Sequence, residues 1–433
     1  MKTGSSGGFG DVPLCHPPAT GGPVGPFPAS RAGAGVFTQC VSSDPGLSKS
    51  DRTRLAAASA IGFLLLGLGA AILGPALPAL RAQYGMTGTG SSFLVSAFWA
   101  GSVVGVVAGG FLLPRLPPRY LLSGGFALMA VGGVAISAAP SAVLAGLGIG
   151  LYGLGFGILD IGINLTVARA YAGGSGAVLI AVNGCYGIGS IVGPLIVGRT
   201  PGDAGTPFLV FAAGAALLVL GTLSVRAESI PTGERLPVDR RIVWILVGFG
   251  LLLITYVATE TGASAWETTH LLGTTHMSEA SAARATSLFW VGMTVGRFAG
   301  APLALRFRPQ VLVVGSMVAG GLSLLLATWT SASVVAYGLT GLFFAPMFPT
   351  VISWMARAVP SGQGATAVFA FALVGPVVVS PLLGASADHL GAGSIPIALA
   401  VLAAVTLGTA VSLSRRLRAA AADPATSAAA TPG

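Results

Sequence analysis

The chain has 433 residues, of which 53% are hydrophobic and only 8% charged, with a formal net charge of +9. A soluble globular protein carries roughly 25% charged residues, so too few charges are present to coat a water-soluble body, and an ordinary soluble enzyme is excluded. The 65 glycines and 28 prolines lie mostly inside apolar runs, which membrane helices tolerate and disordered chains lack.

Residues 1–54 open the chain as a Gly-, Pro- and Ser-rich stretch with no signal-peptide apolar core. They are expected to form a disordered cytoplasmic tail or to be an over-extended start of the reading frame. Apolar stretches long enough to cross a bilayer follow, each needing about 20 residues. They are predicted at 55–80, 91–114, 119–139, 141–168, 176–199, 206–225, 241–271, 283–305, 310–329, 331–356, 364–387 and 393–414. The polar connection 226–240 separates a first six-span bundle, 55–225, from a second, 241–414. Residues 415–433 are read as a cytoplasmic tail. The expected class is an all-α integral membrane protein with twelve transmembrane helices in two six-helix bundles.

Charge placement sets the expected orientation. With the N-terminus inside, Lys49, Arg52, Arg54, Arg115, Arg119, Arg169, Arg226, Arg235, Arg240, Arg241, Arg306, Arg308, Arg357, Arg415, Arg416 and Arg418 fall on the cytoplasmic side. Only Arg81, Arg199 and Arg284 fall outside; Lys2 and Arg31 lie in the tail and Arg297 within a span. This is the positive-inside bias, and it accounts for the basic balance without a nucleic-acid partner. The cysteines, Cys15, Cys40 and Cys185, form no CxxC pair, and the four histidines are scattered over span edges and tail. No metal site or cofactor is expected.

The two halves repeat. At a constant offset of 191, Phe98, Trp99, Gly101, Val104, Gly105, Ala108, Gly109, Arg115 and Pro118 match Phe289, Trp290, Gly292, Val295, Gly296, Ala299, Gly300, Arg306 and Pro309. Spans 4 and 10 echo each other at an offset of 188, from Gly150 and Gly338. A duplicated six-helix unit, both copies entering the membrane in the same sense, is the parallel repeat of many secondary transporters.

With these features the sequence resembles the major facilitator superfamily over about residues 55–415. Gly110, Leu112, Arg115 and Arg119 fit the family's loop signature after span 2, while Pro114 and Pro117 replace its Asp and second Gly. The resemblance implies a cytoplasmic gate at Gly110, Arg115 and Arg119, with an incomplete charge relay. The likeness extends to the fucose- and sugar:proton symporter branch through Asp160 with Asn164, Asn183 with Gly193 and Pro194, Tyr256, Val257, Glu260 and Trp266, and the run Ala345 to Thr350.

Four acidic residues lie in or near spans: Asp160, Glu260, Glu267 and Asp388. A charge at the bilayer centre costs roughly 2.5–3.5 kcal/mol even on the lenient insertion scale. Asp160 lies nine residues before Arg169, hence about 13 Å deep at the helical rise, with Asn164 on the same face. A carboxyl there can load and release a proton. Glu260 lies in the outer half of span 7, where Gly262 and Ala263 suggest a helix break and Trp266 offers a ring face to a sugar or an interfacial anchor. Arg297 lies about 13 Å deep by the same arithmetic from Arg306 and needs a carboxylate or an anionic group beside it. Glu267 and Asp388 are read as solvated.

Proton coupling is therefore assigned to Asp160, Glu260 and Arg297, and substrate binding to Asn164, Asn183, Glu260 and Trp266. Gln363, Thr350 and Ser353 are weaker candidates, and Pro346 and Pro349 are read as kinking span 10. The expected function is proton-coupled import of a sugar-like or other small polar solute by a monomer in the bilayer. Efflux of an amphipathic drug or metabolite is the alternative, and direction is not readable from residues. A polytopic membrane enzyme is a distant third, for want of clustered His, Asp or Cys at one face.

Overall fold

The computed structural model describes residues 49–171, 175–224, 240–359 and 365–422. The expected N-terminal tail up to residue 48, most of the linker 226–240, Gln363 and the C-terminal end from 423 lie outside the described residues. Within them run α1 (Lys49–Gln83), α2 (Gly88–Leu112), α3 (Pro118–Ala138), α4 (Ala142–Ala170), α5 (Ser175–Val197), α6 (Gly205–Leu223) and α7 (Arg240–Thr274). They continue with α8 (Glu279–Arg306), α9 (Pro309–Leu326), α10 (Ser333–Phe344), α11 (Met347–Ala358), α12 (Ala365–Ala372), α13 (Val374–Leu390) and α14 (Ser394–Ala422). Eleven stretches among the described residues are long and apolar enough to cross a membrane, and Ala181–Val197 adds a shorter apolar one.

Local chemistry fixes the ends. Thr87 Oγ1 accepts from Gly90 N at 3.0 Å before α2, and Ser278 Oγ from Ser281 N at 3.3 Å before α8, satisfying free helix-start donors. Pro118 and Pro309, related by the 191-residue offset, both open helices, where a missing N–H costs nothing. Two differences from the expected ends follow from continuing helical pattern: α1 starts at Lys49 instead of 55, and α14 runs through Ala422 instead of ending at 414.

Two predicted spans are interrupted. Span 10 divides into α10 and α11 at Ala345-Pro346, as its prolines suggested, and span 11 into α12 and α13 at Leu373. Span 7 is the reverse case. The break expected at Gly262 and Ala263 is absent, α7 being continuous from Arg240 to Thr274. Gly262 instead gives room for Leu399 and Leu383.

The repeat seen in sequence is a packing device. A side chain at Gly101 would overlap Gly150 O, and one at Gly292 would overlap Gly338 O. Gly153 lies against Phe98 O, and Gly341 against Phe289 O, in the same relation. The α2–α4 and α8–α10 pairs are thus two copies of one close, glycine-mediated contact, the small-residue packing that membrane helices use. Gly153→Val should overpack this contact by about 1–3 kcal/mol or more, read as a lower unfolding temperature in detergent. Gly184, whose added methyl would meet nothing within 4 Å, should tolerate alanine without loss.

Helices α1–α6 pack mainly among themselves and α7–α14 likewise, with the seam between halves made by α1 with α7, α2 with α13, and α5 with α8. Leu217, Leu220, Val143, Leu322 and Leu382 are all more than 60% exposed, the outward apolar surface of a body surrounded by lipid.

Candidate functional site

Arg115, Arg306 and Arg357 lie at the basic end of the bundle, and Asp388, Arg284 and Gly88 at the opposite, far end. Among the described residues, the hydrogen bonds that cross between halves lie in the far half or at the middle. Ser96 Oγ donates to Val377 O at 2.8 Å, Ser287 Oγ to Ile191 O at 2.9 Å, and Arg284 Nη1 to Gly198 O at 3.2 Å. At the far rim, Asp388 accepts from Gly88 N and Thr89 N, each at 2.7 Å, and from Thr89 Oγ1 at 2.8 Å. These two amides are among the unpaired donors of a helix start, and a carboxylate there meets the positive end of the helix dipole.

Asp388 was expected to be solvated. It is exposed, yet it also clamps α2 to α13 across the seam. Asp388→Ala should let the far face open more often. With Cys15, Cys40 and Cys185 replaced by Ser, a cysteine at Ser96 (8% exposed) should then label about five- to thirtyfold faster with a membrane-impermeant maleimide. That is the factor expected from losing one or two kcal/mol.

Below this seal, polar groups from both halves meet at mid-helix. Asn164 Nδ2 donates to Asp160 Oδ1 at 3.2 Å and to Asp160 O at 2.9 Å. The four-residue spacing therefore does bring them together on one face of α4. Asn183 Nδ2 reaches Asn164 Oδ1 at 3.5 Å from α5. Tyr186, one turn beyond Asn183, lies within electrostatic range of Asp160 in its own half and of Glu260 and Arg297 in the other. Glu260 in turn interacts with Arg297 and with the Tyr256 hydroxyl. Asp160, Asn164, Asn183, Tyr186, Glu260 and Arg297 all keep partial exposure although each sits deep along its helix, so they border the space between the halves.

Tyr256 has a second duty. Its hydroxyl lies 2.9 Å from Phe344 O, the last carbonyl of α10, and donates to it where the helix stops and its own ladder can no longer serve that acceptor. The span-10 break is thereby tied to the polar centre through α7. Tyr186 was missed in the sequence. Its signal was its position three residues after Asn183, on the same face of span 5.

Other expectations fare differently. Trp266 is fully buried, with its Nε1 among the buried atoms lacking a hydrogen-bond partner, so in this state it neither borders the central space nor anchors at an interface. Glu267, read as solvated, is also fully buried, and His270, read as a span-edge residue, is 1% exposed; unbroken α7 carries both inward. Thr350 is buried and Ser353 exposed. At the expected gate, Gly110 is half-buried. Arg115 folds back over the Phe111 ring, 3.7 Å from its centroid, and Arg119 lies 4.8 Å from the Tyr120 ring centroid. These contacts are cation–π interactions with near neighbours, and they do not bridge the halves.

No family model matches the sequence. The chain is 21% identical over 299 residues to an uncharacterized MFS-type transporter of Yersinia pestis, across 67% of this chain and 75% of that one. Among solved structures it superimposes on a point mutant of the nucleoside transporter NupG with TM-score 0.69 and 14% identity, covering 84% of this chain and 99% of the other. The xylose transporter XylE of E. coli, in a partially occluded inward-open form, gives TM-score 0.68 and 13% identity over 83% of this chain and 97% of that one. A point mutant of the E. coli fucose:proton symporter FucP gives 0.60 and 16% over 83% and 98%. The fold is that of these major facilitator transporters.

Proposed function

We propose that this multi-pass membrane chain, built on the major facilitator fold, is a secondary active transporter. It moves a small polar solute, sugar-like in its hydrogen-bonding groups, by alternating access coupled to protons. The observation that carries the reading is the meeting of α4, α5, α7 and α8 at Asp160, Asn164, Asn183, Tyr186, Glu260 and Arg297. The groups come from both halves, so a solute held among them senses, and biases, the relative position of the halves. The bundles 55–225 and 241–414 rock about this centre, opening it in turn to each face, and the basic end faces the cytoplasm as the positive-inside rule requires.

Amide and hydroxyl groups supply hydrogen bonds to a polyol. The carboxylates carry the coupling: Asp160 exchanges the proton, and Glu260 with Arg297 reports occupancy across the seam. Gly110, Arg115 and Arg119 lie at the inner rim, where closure in the opposite state would bring them against the other half. A panel of radiolabelled sugars, nucleosides and amphipathic compounds, assayed in proteoliposomes with and without an imposed pH gradient, tests the reading. Gradient-dependent uptake of a polar solute supports it. Gradient-dependent movement confined to amphipathic compounds would replace it with efflux, and gradient-independent movement of every compound would remove the proton from the mechanism.

A further inference from the structure

A second set of polar groups lies outside the central site. Glu267 is fully buried, and both carboxyl oxygens lack a hydrogen-bond partner among the described residues. Beside it Tyr337, also fully buried, leaves its hydroxyl without a partner, and so does His270 at Nδ1. The Tyr337 hydroxyl and the Glu267 carboxyl interact electrostatically, and the His270 and Tyr337 rings lie 5.7 Å apart. Thr268 and Thr286 share a hydrogen bond of 2.9 Å at the same level, between α7 and α8.

The position of Glu267 on α7 gives this cluster its meaning. Glu260, Ser264 and Glu267 are spaced i, i+4, i+7, which places them on one helical stripe, with Glu267 about 10.5 Å further toward the far face than Glu260. Glu260 borders the central space. The middle of the stripe belongs to the seam: Gly74 of α1 lies against Ser264 O and Ala265, and Thr261, Ser264 and Ala265 share a small cleft with Ala70 and Gly74. The α1–α7 contact thus lies between a partly exposed carboxyl and a fully buried one on the same stripe.

We propose that Glu267 is a second proton-binding site, sealed in this state and opened to the far face when the halves rock. A lone carboxylate in such surroundings is costly, and among the described residues the packed elements supply no cation to balance it. From α10 it faces the phenol of Tyr337, and from its own helix His270. On α8, Arg284 is engaged with Gly198 O and Ser281 Oγ, and on α1, Arg81 acts on Asp388. The sealed side chain is therefore the neutral acid. When α1 and α7 part at the far side, water reaches the carboxyl; its O–H bond breaks, the proton passes to that water, and the carboxylate left behind is hydrated. Reprotonation from far-side water by the reverse step allows the seam to close again. The inference rests on the alternating-access reading above, but on a different side chain.

Infrared difference spectroscopy of the reconstituted full chain, reading the C=O stretch of protonated carboxylic acids in H2O and D2O, tests it. Wild type should show an acid band that shifts in D2O and is lost in Glu267→Gln, an isostere of the neutral acid. Glu267→Asp should keep the band at a displaced frequency, which covers the case in which the Gln variant folds poorly. Asp388→Ala, which loosens the far seal, should speed deuterium exchange of this band about fivefold or more. A spectrum in which Glu267→Gln removes no acid band overturns the proposal. So does a Glu267 band whose exchange rate is the same with and without Asp388. Asp160→Asn must leave this band in place, so failure of the central site and failure of this one are told apart.

Discussion

Asp160→Asn protein in proteoliposomes will fail to accumulate its substrate under an imposed pH gradient, while still exchanging labelled for unlabelled substrate. Asparagine copies the shape of the protonated acid and keeps a hydrogen bond with Asn164, so the loaded geometry survives. It holds no exchangeable acid proton, so the pH gradient has nothing to act on. One proton falling through one pH unit supplies about 1.4 kcal/mol, a factor of about ten. The wild-type accumulation ratio should therefore approach tenfold per pH unit for each coupled proton, and the variant ratio should fall to one. Gradient-driven accumulation persisting in Asp160→Asn vesicles would remove Asp160 from coupling. Loss of exchange as well as accumulation would assign it to substrate binding instead.

Glu260→Gln should weaken substrate binding by about ten- to a hundredfold, measured by equilibrium binding of the best solute from the panel. A hydrogen bond to a charged group is worth about 1.5–3 kcal/mol, and the substitution removes one charged acceptor while leaving Arg297 opposite a neutral amide. A guanidinium that has lost its balancing carboxylate inside a protein is costly. The empty state is therefore expected to be less stable as well, and unfolding temperature should fall in the same variant. Restoring neutrality with Arg297→Gln in the Glu260→Gln background should recover stability but not affinity. An affinity unchanged by Glu260→Gln would take Glu260 out of the binding site.

The two central variants and the far-face variants probe different levels of the cycle. On the proposed transport reading, Asp160 and Glu260 lie where both halves contribute, so their effects are expected in coupling and affinity. Asp388 lies at the rim, where three hydrogen bonds from the start of α2 converge. Its loss is expected to shift the balance between open and closed without touching the solute. Cross-half contacts of this kind are the differential contacts that any account of alternating access needs.

Much of this was legible before any coordinates. An apolar run of sufficient length has one stable outcome in a bilayer, because the backbone must satisfy its own hydrogen bonds. The apolar spans followed from their length and hydropathy, and the internal repeat from its constant offset. The matched glycines of the two halves foretold a repeated contact, since a residue without Cβ at fixed intervals invites another backbone. The Asp160–Asn164 pair followed from helical periodicity.

What the amino-acid order left open was which polar groups meet water and which are sealed. Glu260 and Glu267 share a helix and a stripe, and only the seam between α1 and α7 makes one a cleft residue and the other a buried acid. Gly262 read as a break and proved a packing site, because Leu383 and Leu399 come from helices far along the chain. Tyr186 gained its place at the centre from partners on α4, α7 and α8, and Asp388 its clamp from α2, some three hundred residues away. Periodicity fixes the face a side chain points to; only the packing of distant helices decides what stands in front of that face, and so whether a carboxyl there is hydrated, paired or protonated.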